Sequence, residues 1–227
     1  MDGHGQISTG RVPRLSMEGA GAILLDVAGP TFDEACQARI WALAAQLSRR
    51  PGISETVPGM NNLMVVFDPL TVDPLAVEAD MRRGWQTVVP EDTVGRTVDV
   101  PVTYGGPGGV DLAEFAAGKN MTIGDVVARH TAPLYSVAAV GAMPGFVYLS
   151  GLDPVLALPR RHIPRTGVPV GSVIVGGAQA GIMPLTAPSG WHILGHTDLP
   201  LFDPHRDPPA AFRPGDRIRF VVREIQA

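Results

Sequence analysis

Gly141-Ala142-Met143-Pro144-Gly145-Phe146-Val147-Tyr148-Leu149 opens a stretch that continues through Pro159-Arg160-Arg161, Pro164-Arg165, Pro169-Val170-Gly171-Ser172, Gly176-Gly177-Ala178-Gln179-Ala180-Gly181 and Ala187-Pro188-Ser189-Gly190-Trp191 to Pro204. Glycine and proline suit the interior of neither helix nor strand. Glycine loses the most entropy on ordering, and proline lacks an N–H donor. A segment this rich in both encodes short strands joined by shaped corners, with Arg, Gln, Tyr and Trp between them as recognition groups. Residues 134–140, 146–149, 173–175, 191–194 and 217–223 read as the strands. Many short strands with Gly/Pro corners predict a closed or partly closed barrel.

The residues upstream have a different pattern. Residues 22–27 form a short apolar strand, and Thr31 with Glu34, beside Asp33, makes a capping-box pair. Ile40, Trp41, Ala44 and Leu47 recur at helical spacing up to Arg49-Arg50-Pro51-Gly52. Residues 53–57 and 63–67 read as strands about the turn Pro58-Gly59-Met60-Asn61. Asp73-Pro74 starts a helix running to about Arg83. Residues 96–102 alternate charged with apolar side chains and are expected to close this unit as its last strand. The order strand-helix-strand-strand-helix-strand is the ferredoxin-like split arrangement. The fold class expected is thus an α+β ferredoxin-like domain followed by a mainly β barrel domain. The boundary falls between residues 85 and 105: 1–17 a disordered lead-in, 18–95 the α+β domain, 96–227 the barrel. Two short helices, 111–117 and 122–130, introduce the barrel half.

Composition narrows the function classes. Twenty-seven glycines and 22 prolines among 227 residues far exceed the usual share of about 12%, and with 45% hydrophobic residues they indicate a loop-rich β protein rather than disorder. A net charge of −4 offers no basic face for nucleic acid. No run approaches the roughly 20 apolar residues of a membrane span. Residues 1–14 lack the apolar centre of a signal peptide. The single cysteine, Cys36, rules out an intrachain disulfide and fits a reducing compartment, so a cytoplasmic location is expected.

Several residues invite a chemical reading. Gly105-Gly106-Pro107-Gly108-Gly109 lacks the Lys-Ser/Thr ending of a phosphate loop, and Pro107 removes an amide donor, so it reads as a turn. His192 and His196 have helical zinc spacing, but four residues of strand span about 13 Å, which excludes a shared metal. Ser189 is outside any Gly-x-Ser-x-Gly elbow and reads as a turn serine. His130 at a helix end is either a general base or a helix cap. Prolines stiffen the backbone around Arg160, Arg161 and Arg165. Such arginines suit bidentate recognition of a carboxylate or phosphate, and a solvated charged loop or an inter-subunit ion pair is the competing reading. Gln179 lies among small residues and can both donate to and accept from a ureido or lactam group.

These residues together give the chain its resemblance. His130-Thr131-Ala132-Pro133-x-Tyr135, Pro144-Gly145-Phe146-x-Tyr148-Leu149-x-Gly151-Leu152, Pro159-Arg160-Arg161, Pro164-Arg165, Val168-Pro169-x-Gly171-Ser172-Val173, Gly190-Trp191 and Leu201-Phe202-Asp203-Pro204 resemble the carboxyltransferase-domain subunit 1 family. That family includes the B component of 5-oxoprolinase, proteins labelled allophanate hydrolase subunit 1, and the sporulation kinase inhibitor KipI. The resemblance implies a ferredoxin-like domain and a cyclophilin-like barrel, and an obligate homologous subunit 2 as partner. It also implies ATP with magnesium, bound by the complex, used to activate a lactam or ureido compound such as 5-oxoproline. In this reading Arg160 and Arg165 steady the phosphoryl group or the substrate carboxylate, His130 transfers a proton, Gln179 and Ser189 orient the amide-like group, and Phe146 and Tyr148 form the apolar wall. A KipI-like kinase inhibitor and a non-catalytic scaffold are the alternatives. The chain departs from the family pattern at Ala142, Ala178, Ala180, Met183, Ser189 and His196. The small or apolar residues among them are expected to leave one surface with fewer polar contacts and a roomier pocket.

Overall fold

A computed structural model describes residues 11–90 and 95–226. The chain divides into two units, Met1–Thr93 and Val94–Ala227, each with its own core.

In the first unit β1 (Arg14–Met17), β2 (Ala22–Asp26), α1 (Glu34–Leu47), β3 (Ile53–Pro58), β4 (Asn62–Phe67) and α2 (Pro74–Thr87) follow in that order. The strands form an antiparallel sheet of order β1-β2-β4-β3. Alternation along β4 sends Leu63, Val65 and Phe67 inward, where they meet Ile23 and Leu25 of β2, Ile40 and Leu43 of α1, and Val77 and Met81 of α2. Each such side chain contributes on the order of 1.5–3 kcal/mol when fully buried. Asp33, adjacent to the first helical residue, caps α1 by accepting from the Cys36 amide at 2.9 Å. The cap is therefore Asp33, and Thr31 lies too far upstream to reach an amide of the first turn. Asp73 caps α2 by accepting from Leu75 N, with Pro74 as first helical residue.

Two sequence expectations are corrected at the sheet's edge. The stretch 14–17, assigned to a lead-in, is β1: it pairs from Arg14↔Asp26 to Met17↔Ile23, with Arg14 bonded to Asp26. Of the rest of the expected lead-in, residues 1–10 lie outside the described residues. The stretch 96–102 does not close this sheet. It belongs to β5 (Thr97–Gly105) of the second unit, which pairs with strands near the C-terminus. β4 lies between β2 and β3, the strands that α1 joins, and the outer strand comes from the N-terminal side.

In the second unit, β5 leads through a 3₁₀ turn (Gly106–Gly108) to α3 (Leu112–Gly118) and α4 (Ile123–Thr131). Then come β6 (Tyr135–Val140), β7 (Val147–Ser150), β8 (Arg165–Val168), β9 (Ser172–Gly176), β10 (Gln179–Ile182), β11 (Ala187–Ser189), β12 (His192–His196) and β13 (Arg217–Gln226). Seven of these strands close a barrel in the order β10-β7-β6-β13-β5-β12-β9, with β9 returning to β10. Val100, Val102, Tyr104, Leu149, Val173, Val175, Leu194 and Phe220 fill it. Closure removes the open edges that an unpaired sheet would present. β9 is buried on both faces: Val173 and Val175 point into the barrel, whereas Ile174 joins Phe146, Met183, Trp191 and Ile193 in a second apolar layer outside it. The two-stranded ribbon β8–β11 adds Val168 and Ala187 to that layer. This outer layer organises the site.

Candidate active site

A cleft of about 190 Å³ opens over the outer layer. Its wall is a triad of edge-to-face rings: Phe146 and Tyr148 at 4.8 Å and 76°, Phe146 and Trp191 at 5.8 Å and 85°, and Tyr148 and Trp191 at 6.3 Å and 65°. Such perpendicular pairs place a positive ring edge on a negative ring face and fix one another's orientation. Trp191 lies flat over β9. A Cβ on Gly176 would stand 2.6 Å from its ring, so the glycine is what lets the indole reach the sheet.

Two polar groups face this wall. The Ser189 hydroxyl accepts from Trp191 N at 3.2 Å, which leaves its own proton free to donate. Arg160 places its guanidinium carbon 5.6 Å from the Trp191 ring centroid and is exposed, with no acidic partner among the described residues. The loop that carries it is tied down on both sides. Arg161 N donates to Gly190 O at 2.7 Å, and His192 Nε2 lies 2.9 Å from Pro159 O. The cleft thus offers an angled apolar wall, one hydroxyl donor and one cation without an acidic partner among the described residues, the chemistry that holds a small ring bearing an amide and an anionic group.

Phe146, Tyr148, Arg160 and Ser189 come together in this cleft as the sequence reading grouped them. His130 and Gln179 do not line it, and neither does Arg165. His130 is fully buried, packed 4.7 Å from the Phe220 ring, with Nδ1 2.8 Å from the Tyr104 hydroxyl. Burial pushes its pKa down to about 3 and pushes both Tyr104 and Tyr135 up. A neutral imidazole sealed in the barrel core has no route to a substrate proton, so the expected general-base role gives way to a packing role. Gln179 starts β10 opposite Gly176, half-buried.

Arg165 is neither loose in solvent nor directed at another subunit: it forms an ion pair with Asp111 of its own chain. Its two terminal nitrogens donate to Asp111 at 2.8 and 2.5 Å, Arg161 adds a third bond at 3.2 Å, and the Ile193 amide adds a fourth at 2.8 Å. Asp111 is 1% exposed, so four donors replace the water it has lost. The sequence reading passed over Asp111 because an acid beside a short helix resembles an ordinary cap. Its α3 position in fact carries no side-chain cap bond. Among the departures from the family pattern, Ala142, Met183 and Ser189 all line the cleft. Ala180 instead faces the barrel core, so the changes do not form one surface. No group of three or more His, Cys, Asp or Glu side chains among the described residues is placed to hold a metal, and no helix is long and apolar enough to cross a membrane.

The model of the carboxyltransferase domain, subdomain C and D, matches residues 13–212. The chain belongs to this family. It is 43% identical over 212 residues to a protein of Escherichia coli O157:H7 named as the B component of 5-oxoprolinase, covering 93% of this chain and 96% of that one. A conserved uncharacterized protein from Pyrococcus horikoshii has a solved structure 34% identical in sequence, covering 93% of this chain and 98% of that chain at a TM-score of 0.56. The Kluyveromyces lactis urea carboxylase shares the fold at 19% identity and a TM-score of 0.77, over 92% of this chain and 22% of that chain. Within the family, the closed barrel fits the cyclophilin-like description.

Proposed function

We propose that this chain is one subunit of an ATP-dependent amidohydrolase that opens a lactam or ureido compound, 5-oxoproline or an analogue, together with a homologous second subunit. The observation that carries the reading is the similarity to the B component of 5-oxoprolinase over almost the full length of both chains. The cleft supports it. An amide-bearing ring rests in the angle between Phe146 and Trp191, its carbonyl accepts a hydrogen bond from the Ser189 hydroxyl, and an attached carboxylate pairs with Arg160. Lactam resonance makes unassisted hydrolysis slow, and phosphorylation of the amide oxygen supplies a leaving group. This chain's part is to hold the ring still and neutralise its charge.

The nucleotide is assigned to the assembled complex. The loop Gly105-Gly106-Pro107-Gly108-Gly109 does not fit a phosphate cradle: Gly109 is pressed so closely on Gly105 N and Leu194 O that an added Cβ would overlap both. The Gly109 amide is already committed within the turn, donating to Gly106 O at 3.2 Å.

The test is magnesium-ATP-dependent hydrolysis of 5-oxoproline and related lactams and ureides by the co-expressed pair. Arg160→Ala removes a charge-assisted bond worth about 1.5–3 kcal/mol, so kcat/KM is expected to fall about 10- to 150-fold while the fold persists. Turnover unchanged in Arg160→Ala would exclude this cleft as the carboxylate site. A pair that turns over none of these compounds would exclude the reaction.

A further inference from the structure

A second cleft, of about 250 Å³, is lined by Arg165 and Gly167 of β8 and shares no residue with the first. Pro107, Val110, Pro169 and Ile193 give it apolar walls, and Arg165, Ser172 and His196 supply its polar groups. We propose that this cleft is a distinct binding site for a small aliphatic carboxylate, independent of the lactam site.

The first argument is charge. Arg161 and Arg165 share the single buried carboxylate of Asp111, leaving one positive charge in excess at the cleft wall. Glu114, 3.9 Å from Arg161 and 82% exposed, compensates weakly through solvent. Across the cleft, Asp198 is held ionised by Arg223, whose bond lowers its pKa. That pair is neutral overall and leaves the excess in place.

The second argument is unused hydrogen-bond capacity. A guanidinium has five N–H groups, and Arg165 spends two of them on Asp111. The remaining three belong to a fork already locked in place, so a ligand that meets them does not have to order the side chain. Ser172 is 2% exposed, and its hydroxyl has no partner among the described residues, although its backbone is bonded on both sides. That hydroxyl is not sealed from solvent, so an acceptor in the cleft can reach its proton. His196 stands directly across the strand pair from Ser172. Its ring is clamped: a Cβ on Gly171 would lie 2.5 Å from it, and one on Gly108 2.9 Å from His196 Cβ. The Nε2 lies 3.3 Å from Asp198.

The third argument selects the anion. One planar fork and one hydroxyl match the two oxygens of a carboxylate. A phosphate dianion has three oxygens to satisfy and little use for a body of prolines, Val110 and Ile193. The cleft therefore takes an anionic head at Arg165 and Ser172 with a tail of a few carbons along the apolar walls.

The experiment is amide chemical-shift mapping of the full chain titrated with sodium butyrate, and separately with inorganic phosphate. Butyrate is expected to saturate and to shift Gly108, Val110, Gly167 and Ser172. Ser172→Ala is expected to weaken it about 3- to 10-fold, the equivalent of about 0.5–1.5 kcal/mol for one hydrogen bond. Gly167→Leu serves as a block, because a Cβ there meets only Thr186 Cγ2 at 3.9 Å and the fold tolerates it. Retained thermal midpoints show that both variants are folded. Shifts centred on Phe146, Tyr148 and Trp191 would place the anion at Arg160 and overturn the proposal. Saturation by phosphate alone, or no saturable shift, would overturn it as well. None of these outcomes depends on whether the complex hydrolyses lactams.

Discussion

Two buried residues, His130 and Asp111, set expectations of opposite kinds. His130 is neutral in the folded chain, its pKa lowered by burial to about 3, against about 6.5 when unfolded. Below pH 6.5 the unfolded chain takes up a proton at this position and the folded chain does not. Stability therefore falls as pH falls, by up to about 1.4 kcal/mol per pH unit, until the folded value is reached. Asp125, Asp153 and Asp198, held low chiefly by hydrogen bonds from Thr122, Val155 and Arg223, act in the same direction, but only once pH drops to the carboxylate range. Thermal midpoints of His130→Gln between pH 4.5 and 6.5 should thus depend less on pH than those of the parent; an equal slope would show that the imidazole is protonated in the fold. Asp111→Asn should be costly even at neutral pH. It leaves Arg161 and Arg165 facing each other without their counter-charge, and since both guanidiniums are about one-third exposed the loss belongs at the lower end of the buried-pair range, about 3 kcal/mol. Denaturant midpoints check this against Arg160→Ala, an exposed change expected within about 0.5 kcal/mol of the parent. Equal stability of the two variants would remove Asp111 from its central place.

At the scale of elements, β1 carries the clearest prediction. It shields the outer edge of β2, and its Leu15 packs against the core of the first unit. A chain beginning at Glu18 exposes the N–H and C=O row of β2 and deprives Asp26 of its ion pair with Arg14. The first unit should then melt at a lower temperature while the barrel transition stays in place, as two-step calorimetry would reveal; a single unshifted profile would contradict it. Why β1 escaped the sequence reading is physical. Arg14-Leu15-Ser16-Met17 alternates polar with apolar residues, but over only four positions and beside a glycine-rich run, so the pattern is too short to register as a strand. β8, β10 and β11 were missed for a related reason: Gly167, Gly181 and Pro188 sit inside them, tolerated because their neighbours are barrel corners and a ribbon edge. β5 shows the converse. Its alternation announced a strand correctly, but alternation names a face and not a partner, so it was joined to the wrong sheet. The site followed the same logic. Phe146, Tyr148, Arg160 and Ser189 were legible because Gly and Pro around them marked a shaped surface. The Asp111 cluster was not, since it joins residues 50 and 82 positions apart.

For the molecule as a whole, the two cores make separable predictions. Every strand of the barrel lies within residues 97–226, and every buried member of its main cluster lies between Val100 and Phe220. The barrel therefore needs no strand from the first unit to close. Residues 94–227 expressed alone should show a cooperative thermal transition and a dispersed amide spectrum, and should retain the shift response to butyrate at Ser172. The first unit has a smaller core of one sheet and two helices, and short domains bury a smaller fraction of their surface on folding, about 60% at 60 residues. Residues 1–93 alone should accordingly fold with the lower midpoint. A barrel fragment lacking a cooperative transition would mean that closure depends on the first unit. Both proposed clefts draw all of their lining from the second unit, so the fragment that tests independent folding also tests whether ligand binding resides in the barrel.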